Sequence, residues 1–204
     1  MIRIPTVIGM LDNDMGHIIL DEMRNALPYL HHAFVVDHDG SMFEYPAIFY
    51  AIQLSMDLNR PVLYLHTKGA FNQVAPVNST TLNMYTNMPK GATQMDWQRM
   101  VRKMWYYEYG KNLDTHLKNV NVNRAVVSCP YTGKCKLTWF NGFIMNSLAA
   151  KKLSETFKYT TNRFYYEQMF KRLDDVDVVG TRLSNIEPTE NRALLYDDVW
   201  SFYK

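Results

Sequence analysis

Three polar clusters in the first 70 residues each follow a short apolar run. Asp12-Asn13-Asp14 follows residues 4–11, Asp37-His38-Asp39-Gly40-Ser41 follows 33–36, and His66-Thr67-Lys68-Gly69 follows 61–65. In the second cluster, Asp37 and Asp39 are carboxylates that can accept hydrogen bonds from ribose hydroxyls or a base imide. An acidic residue at a strand end does this in dinucleotide sites. Asp-x-Asp-Gly also makes a sound turn with no ligand at all. Asp39 and His66 together offer oxygen and nitrogen donors for a divalent ion. In the third cluster, the Lys68 ammonium can steady a departing diphosphate as a point charge, and Gly69 lets the backbone approach a phosphate closely.

Further candidates follow later in the chain. Arg99 can clamp a phosphate bidentately. Trp97 can stack on a sugar or base, although its helical spacing with Met100, Val101 and Met104 marks it first as core. Asn141-Gly142 interrupts an apolar run. Such a glycine marks either a bulge or a close ligand approach, and Asn141 could bond a sugar hydroxyl. Glu167 is the carboxylate best suited to act as general base. Arg163 lies four residues before it, so an ordinary helical ion pair is the competing explanation. The histidines show no metal-ligand spacing, and neither a Walker lysine motif nor a G-x-S-x-G elbow occurs.

These residues need elements to carry them. The 4–11 run reads as a buried strand, and Asp14 as the N-cap of a helix reaching about residue 27. A strand at 33–36, a helix at 46–58 with Pro46 in its first turn, and a strand at 61–65 come next. Strand, helix, strand, helix, strand within 66 residues predicts a parallel sheet with right-handed crossovers, whose ligands lie outside the carboxyl ends of the strands. All three polar clusters fall at such ends. Residues 70–92 read as a long loop, 95–117 as one helix, 124–128 as a strand, and 138–146 as a strand broken at Asn141-Gly142. Helices at 147–157 and 162–173 and a strand at 176–179 complete the pattern. The expected fold class is α/β: one domain over 1–180, a mostly parallel sheet flanked by helices. Residues 181–204 form a C-terminal arm packing on the domain or on a partner.

Composition fits this reading. The 204 residues carry 22 basic and 20 acidic side chains, a net +2, which argues against a polycationic nucleic-acid binder but not against a local basic face. Two cysteines, Cys129 and Cys135, make neither a zinc site nor a disulfide framework, and read as reduced thiols. No apolar run nears the roughly 18 residues of a membrane span. The first residues read as a strand and not as a signal peptide, so a cytoplasmic protein is expected.

Phe43-Glu44-Tyr45-Pro46 before a helix, the strand end His66-Thr67-Lys68-Gly69, and Asp96-Trp97-Gln98-Arg99 resemble a family of small glycosyltransferase-like proteins found in polysaccharide gene clusters and some large viruses. The resemblance covers roughly residues 1–170. It departs at Gln98 and at Ile144-Met145, where the family carries Arg and Trp-Trp. VVDHDGS at 35–41 is similar to the strand end of family-two glycosyltransferases, and WFNGFIMN at 139–146 to a segment of glycogenin-like enzymes. The resemblance implies a Rossmann-like GT-A domain that moves a sugar from a UDP-linked or similar donor to a hydroxyl. The acceptor would be a glycan or a hydroxylated base in viral DNA. Asp37, Asp39, His66, Lys68, Gly69 and Arg99 would then bind the donor, and Trp97, Asn141, Gly142 and Arg163 the sugar or acceptor. Glu167 and Lys68 would carry the chemistry. A manganese or magnesium ion would assist the diphosphate unless Lys68 replaces it. A non-catalytic nucleotide- or sugar-binding module on the same fold is the alternative, and the sequence sets no oligomeric state.

Overall fold

The structure is a computed structural model. It describes residues 4–39, 41–42, 44–68, 70, 91–132, 136–160, 162, 164–182 and 197–203. Six strands among them form one sheet: β1 (Thr6–Leu11), β2 (Phe34–His38), β3 (Val62–His66), β4 (Val126–Cys129), β5 (Phe143–Met145) and β6 (Asp177–Gly180). Their order is β2-β1-β3-β5-β4-β6. β2, β1 and β3 run parallel, as do β4 and β6; β5 alone is antiparallel to both its neighbours. The fold is thus α/β, with a mostly parallel sheet flanked by helices.

The helices are α1 (Asp14–Ala26), α2 (Tyr45–Leu58), α3 (Gln94–Gly110), α4 (Leu113–Val120), α5 (Ser147–Ser154) and α6 (Phe164–Gln168). Strand periodicity sorts them into two layers. Ile8, Met10, Leu63 and Leu65 face a core shared with α1, α3 and α4, while Val7, Val62 and Tyr64 face one shared with α2 and α5. Both faces of β1 and β3 are covered, which is why these strands read as unbroken apolar runs.

Two glycines set how closely the helices approach. A side chain at Gly16 would put Cβ 1.9 Å from the Leu11 carbonyl oxygen, so glycine lets α1 begin hard against the end of β1. At Gly9, Cβ would lie 2.9 Å from Ala47 Cβ and 3.3 Å from the Tyr64 hydroxyl. With Ala47 opposite, α2 therefore sits low on the sheet, and its N-cap residue, Glu44, comes close to the tip of β3.

The structure corrects several sequence expectations. The N-cap of α1 is Asn13, not Asp14: its Oδ1 accepts the Gly16 N–H at 2.7 Å. The single helix expected over 95–117 is two, α3 and α4. Asn112 turns its side-chain amide back to Glu108 Oε1 at 3.1 Å, a local bond that competes with helix continuation just after Gly110. Only the second half of 138–146 is a strand; Trp139–Asn141 form a 3₁₀ turn in which Phe140 and Asn141 adopt φ of 68° and 52°.

The last described segment, 197–203, returns to α3. Arg182 holds Asp198 with a two-pronged bond of 2.6 and 2.7 Å, Trp200 packs on Trp97, and the Lys103 ammonium donates to the Phe202 carbonyl at 3.2 Å. No helix among the described residues is long and apolar enough to cross a membrane.

Candidate functional site at the strand tips

The carboxyl ends of β2, β1 and β3 lie side by side and are stitched together by backbone. The Asp12 N–H donates to the His38 carbonyl at 2.9 Å, which ties β1 to β2. The Thr67 N–H donates to the Gly9 carbonyl at 2.9 Å, and Thr67 Oγ1 accepts the Leu11 N–H at 3.1 Å, which ties β3 to β1. β1 sits between strands reached by crossovers through opposite helix layers. The tips of β1 and β3 therefore form a topological switch point, where open α/β sheets hold their ligands.

Glu44 is the centre of the polar groups gathered there. It occupies the N-cap position of α2 but makes no side-chain cap bond. Its carboxylate instead reaches across to β3 and to the 139–141 turn. Glu44 Oε1 lies 3.4 Å from His66 Nε2, and Glu44 Oε2 accepts a short hydrogen bond from the Asn141 side-chain amide. His66 and Asn141 are buried, whereas the Glu44 side chain is 21% exposed. The carboxylate is thus held from inside and partly exposed. Burial, and then the Glu44 charge, push the Tyr64 phenol well above its ordinary pKa; Tyr166 shifts the same way. The Tyr64 hydroxyl is fully buried and has no hydrogen-bond partner among the described atoms.

The turn that carries Asn141 is held in an unusual backbone state. Two consecutive non-glycine residues, Phe140 and Asn141, sit in the left-handed region, which costs free energy unless the surroundings impose it. The Phe140 ring lies edge-on to Trp97, with 5.8 Å between centroids, and under the Lys68 ammonium at 5.9 Å. Thr138 anchors the turn by donating from its N–H to the Glu167 carbonyl at 3.0 Å. Gly142 follows because nothing larger fits. A Cβ there would lie 2.4 Å from Trp105 Nε1. The sequence left a bulge or a ligand as the reason for this glycine, and the structure supplies a third: the Trp105 indole. That indole in turn packs edge-on to His66 at 5.3 Å.

The structure brings some of the sequence candidates together and not others. His66, Lys68, Asn141 and Gly142 meet around the β3 tip, with Trp97 behind Phe140 as buried core. Arg99 is exposed on α3, near enough to Glu22 for their charges to interact. Its neighbour Arg102 is buried and structural: it pairs with Glu22 at 2.9 Å and donates to the Lys68 carbonyl at 2.6 Å, fixing the loop that presents Lys68. Asp37 is exposed opposite Met10. Asp39 is exposed beyond β2, and its Oδ1 accepts the Ser41 N–H at 2.8 Å. Bonds from Ser41 hold the Asp39 pKa below its ordinary value, so the turn reading accounts for this residue without a ligand. Glu167 contacts the site through its carbonyl. Gly69 and Arg163 lie outside the described residues. Among the described residues no group of three or more metal-ligating side chains occurs, and the carboxylate beside His66 is Glu44, not Asp39.

A second polar cluster looks chemical at first sight. Ser128 Oγ lies 2.9 Å from His116 Nδ1, and His116 Nε2 lies 3.3 Å from Glu108 Oε2, the order of a nucleophile relay. All three residues are fully buried, so no substrate reaches the serine. Thr181 and Arg182 complete the network at Glu108, with bonds of 2.7 and 3.0 Å. Burial alone would raise the Glu108 pKa, but hydrogen bonds from His116, Thr181 and Arg182 outweigh it and bring it down to about 2. The cluster ties α3, α4, β4 and the end of β6 together.

Glu44, Thr67 and Tyr64 are the residues that sequence reasoning did not place in the site. Glu44 stood in the Phe43–Pro46 motif only as a helix start. The usable signal was its residue type: glutamate is a poor N-cap, so one at that position is free to reach elsewhere. The chain matches no family model, no curated protein and no solved structure in the comparisons made.

Proposed function

We propose that this chain is a glycosyltransferase of the GT-A type, moving a sugar from a nucleoside diphosphate sugar to a hydroxyl acceptor that is either a glycan or a hydroxylated base in DNA. The observation that carries the reading is the grouping at the tips of the parallel strands: the Lys68 ammonium over the Phe140 ring, and the partly exposed Glu44 carboxylate held by the next residue, Asn141. These are the groups a nucleotide-sugar needs. A cation meets the diphosphate, and a carboxylate meets hydroxyls. The tips of β2 and β3 are two strand spacings apart, roughly 10 Å, a span that a nucleoside diphosphate bridges. Lys68 supplies countercharge to the diphosphate, and a divalent ion, where the donor carries one, would share that charge.

The test is release of nucleoside diphosphate from a panel of nucleotide-sugars, with and without manganese, first with water and then with glycan or hydroxymethylated DNA as acceptor. Slow release that one acceptor class accelerates is the expected result. Tight binding without any turnover would replace the enzyme reading with a binding module. Neither binding nor turnover of any donor would end both.

A further inference from the structure

We propose that Glu44 is the group that takes the proton from the acceptor hydroxyl, with His66 and Asn141 as the residues that position it; this rests on the glycosyl-transfer reading above. The sequence pointed to Glu167 for this task. The geometry points to Glu44 on four grounds.

First, Glu44 makes no side-chain cap bond at the start of α2 and extends toward the strand tips, with its side chain 21% exposed. Second, its two oxygens are held separately, Oε1 by His66 and Oε2 by Asn141, both buried, so the carboxylate has one fixed orientation. A carboxylate fixed by buried donors is preorganised for proton transfer in a way that a mobile surface glutamate is not. Third, the 140–141 turn is in a costly backbone state, and each of its two residues touches one half of the reaction machinery. Phe140 lies under the Lys68 ammonium, and Asn141 grips Glu44. The cation and the base are thereby set at neighbouring positions around the same turn. Fourth, the described contacts of Glu167 are made by its carbonyl, which serves the turn through Thr138.

The step balances with these groups alone. The acceptor O–H bond breaks and its proton passes to Glu44. The freed oxygen pair forms the new bond to the anomeric carbon. The bond from that carbon to the diphosphate oxygen breaks, and its electron pair leaves with the diphosphate beside Lys68. Displacement from the face opposite the leaving group inverts the anomeric carbon. His66, with Nε2 at 3.4 Å from Glu44 Oε1, keeps the carboxylate oriented.

The experiment uses the full chain and the nucleotide-sugar that the wild type turns over, with water as acceptor. Donor affinity and turnover are measured separately for Glu44→Gln, Glu44→Asp and Glu167→Gln. Glu44→Gln is expected to lose about 10²- to 10⁴-fold in kcat while donor affinity stays within about threefold. Glu44→Asp keeps the charge but sets it back by one methylene, and is expected to lose roughly 10- to 100-fold; it covers the case in which the glutamine variant fails to fold. The loss in Glu44→Gln is expected to exceed that in Glu167→Gln. Azide, which attacks without giving up a proton, is expected to restore turnover to Glu44→Gln as the glycosyl azide of inverted configuration. Turnover within threefold of wild type in both Glu44 variants overturns the proposal, as does a larger loss in Glu167→Gln. Parallel loss of donor affinity and turnover also overturns it, because Glu44 would then be a binding group. Retention of the anomeric configuration in the wild-type product overturns the step as written. If the wild type turns over no donor, the glycosyl-transfer reading falls and this assignment with it. If only the variant results go the other way, the assignment falls alone.

Discussion

Substituting Gly142 by alanine tests how tightly the core beneath the site is built. The backbone there, φ −109° and ψ 114°, is open to any residue, so the effect is purely steric. The new methyl would lie 2.4, 2.6 and 3.0 Å from Trp105 Nε1, Cε2 and Cζ2. Comfortable contact needs about 3.5 Å or more, so the indole must retreat by roughly 1 Å. Trp105 is fully buried and has nowhere open to go. Overpacking of this kind costs about 1–3 kcal/mol, and a rigid ring against a strand belongs at the upper end. For a chain of this size each kcal/mol lowers Tm by about 2–4 °C, so Gly142→Ala should melt roughly 6–12 °C lower. The same displacement disturbs the edge-on contact of Trp105 with His66, which faces Glu44, so turnover should fall beyond what unfolding explains. Thermal and urea denaturation of Gly142→Ala, Trp105→Phe and the double variant measure this directly. Trp105→Phe makes room, and the two changes should couple favourably by at least about 1 kcal/mol. A Gly142→Ala protein melting within about 2 °C of wild type, with no coupling to Trp105, would refute the packing argument.

Other perturbations follow from the same contacts. The Glu108 pKa is about 2 in the folded chain against 4.5 ordinarily, so its contribution, roughly 3 kcal/mol, is complete above about pH 4.5 and is lost as pH falls toward 2. Urea midpoints between pH 6 and 2.5 should show that slope in the wild type and a weaker one in Glu108→Gln. Lys68→Ala should weaken binding of a nucleoside diphosphate at least about tenfold in a calorimetric titration while Tm changes little, because Arg102 holds the loop through the Lys68 carbonyl and not through its ammonium. Asn141→Asp sets a second carboxylate against Glu44. Two like charges resist joint ionisation, so the pair's pKa rises and the acid limb of the turnover profile should move to higher pH. Gly16→Ala, with its Cβ 1.9 Å from the Leu11 carbonyl, should detach the first turn of α1 and show as faster amide exchange at residues 14–20.

The strands β1, β2 and β3 and their helices were legible because each is a short apolar run ended by polar residues, and burial on both sheet faces leaves that imprint. The placement of the polar clusters at carboxyl ends followed from the right-handed crossover and needed no side-chain detail. β5 falls within the strand expected over 138–146, but its antiparallel direction depends on the path of the chain between β4 and β5. The break between α3 and α4 depends on one side chain, Asn112, choosing Glu108 over the solvent. Glu44 was invisible as a site residue for a different reason. Its role arises because Gly9 and Ala47 let α2 sink onto the sheet, bringing Glu44 beside His66. Gly142 was recognised as special while the indole that makes it so lies 37 residues away on another element.

A crystal structure of the chain with a bound nucleoside diphosphate tests the central claim most directly. The diphosphate should lie at the tips of β1 and β3, within reach of the Lys68 ammonium, with the Glu44 carboxylate facing the position the sugar would take. Density instead in the cavity of about 530 Å³ lined by Lys158, Lys171 and Arg172, with the strand tips unchanged, would contradict it.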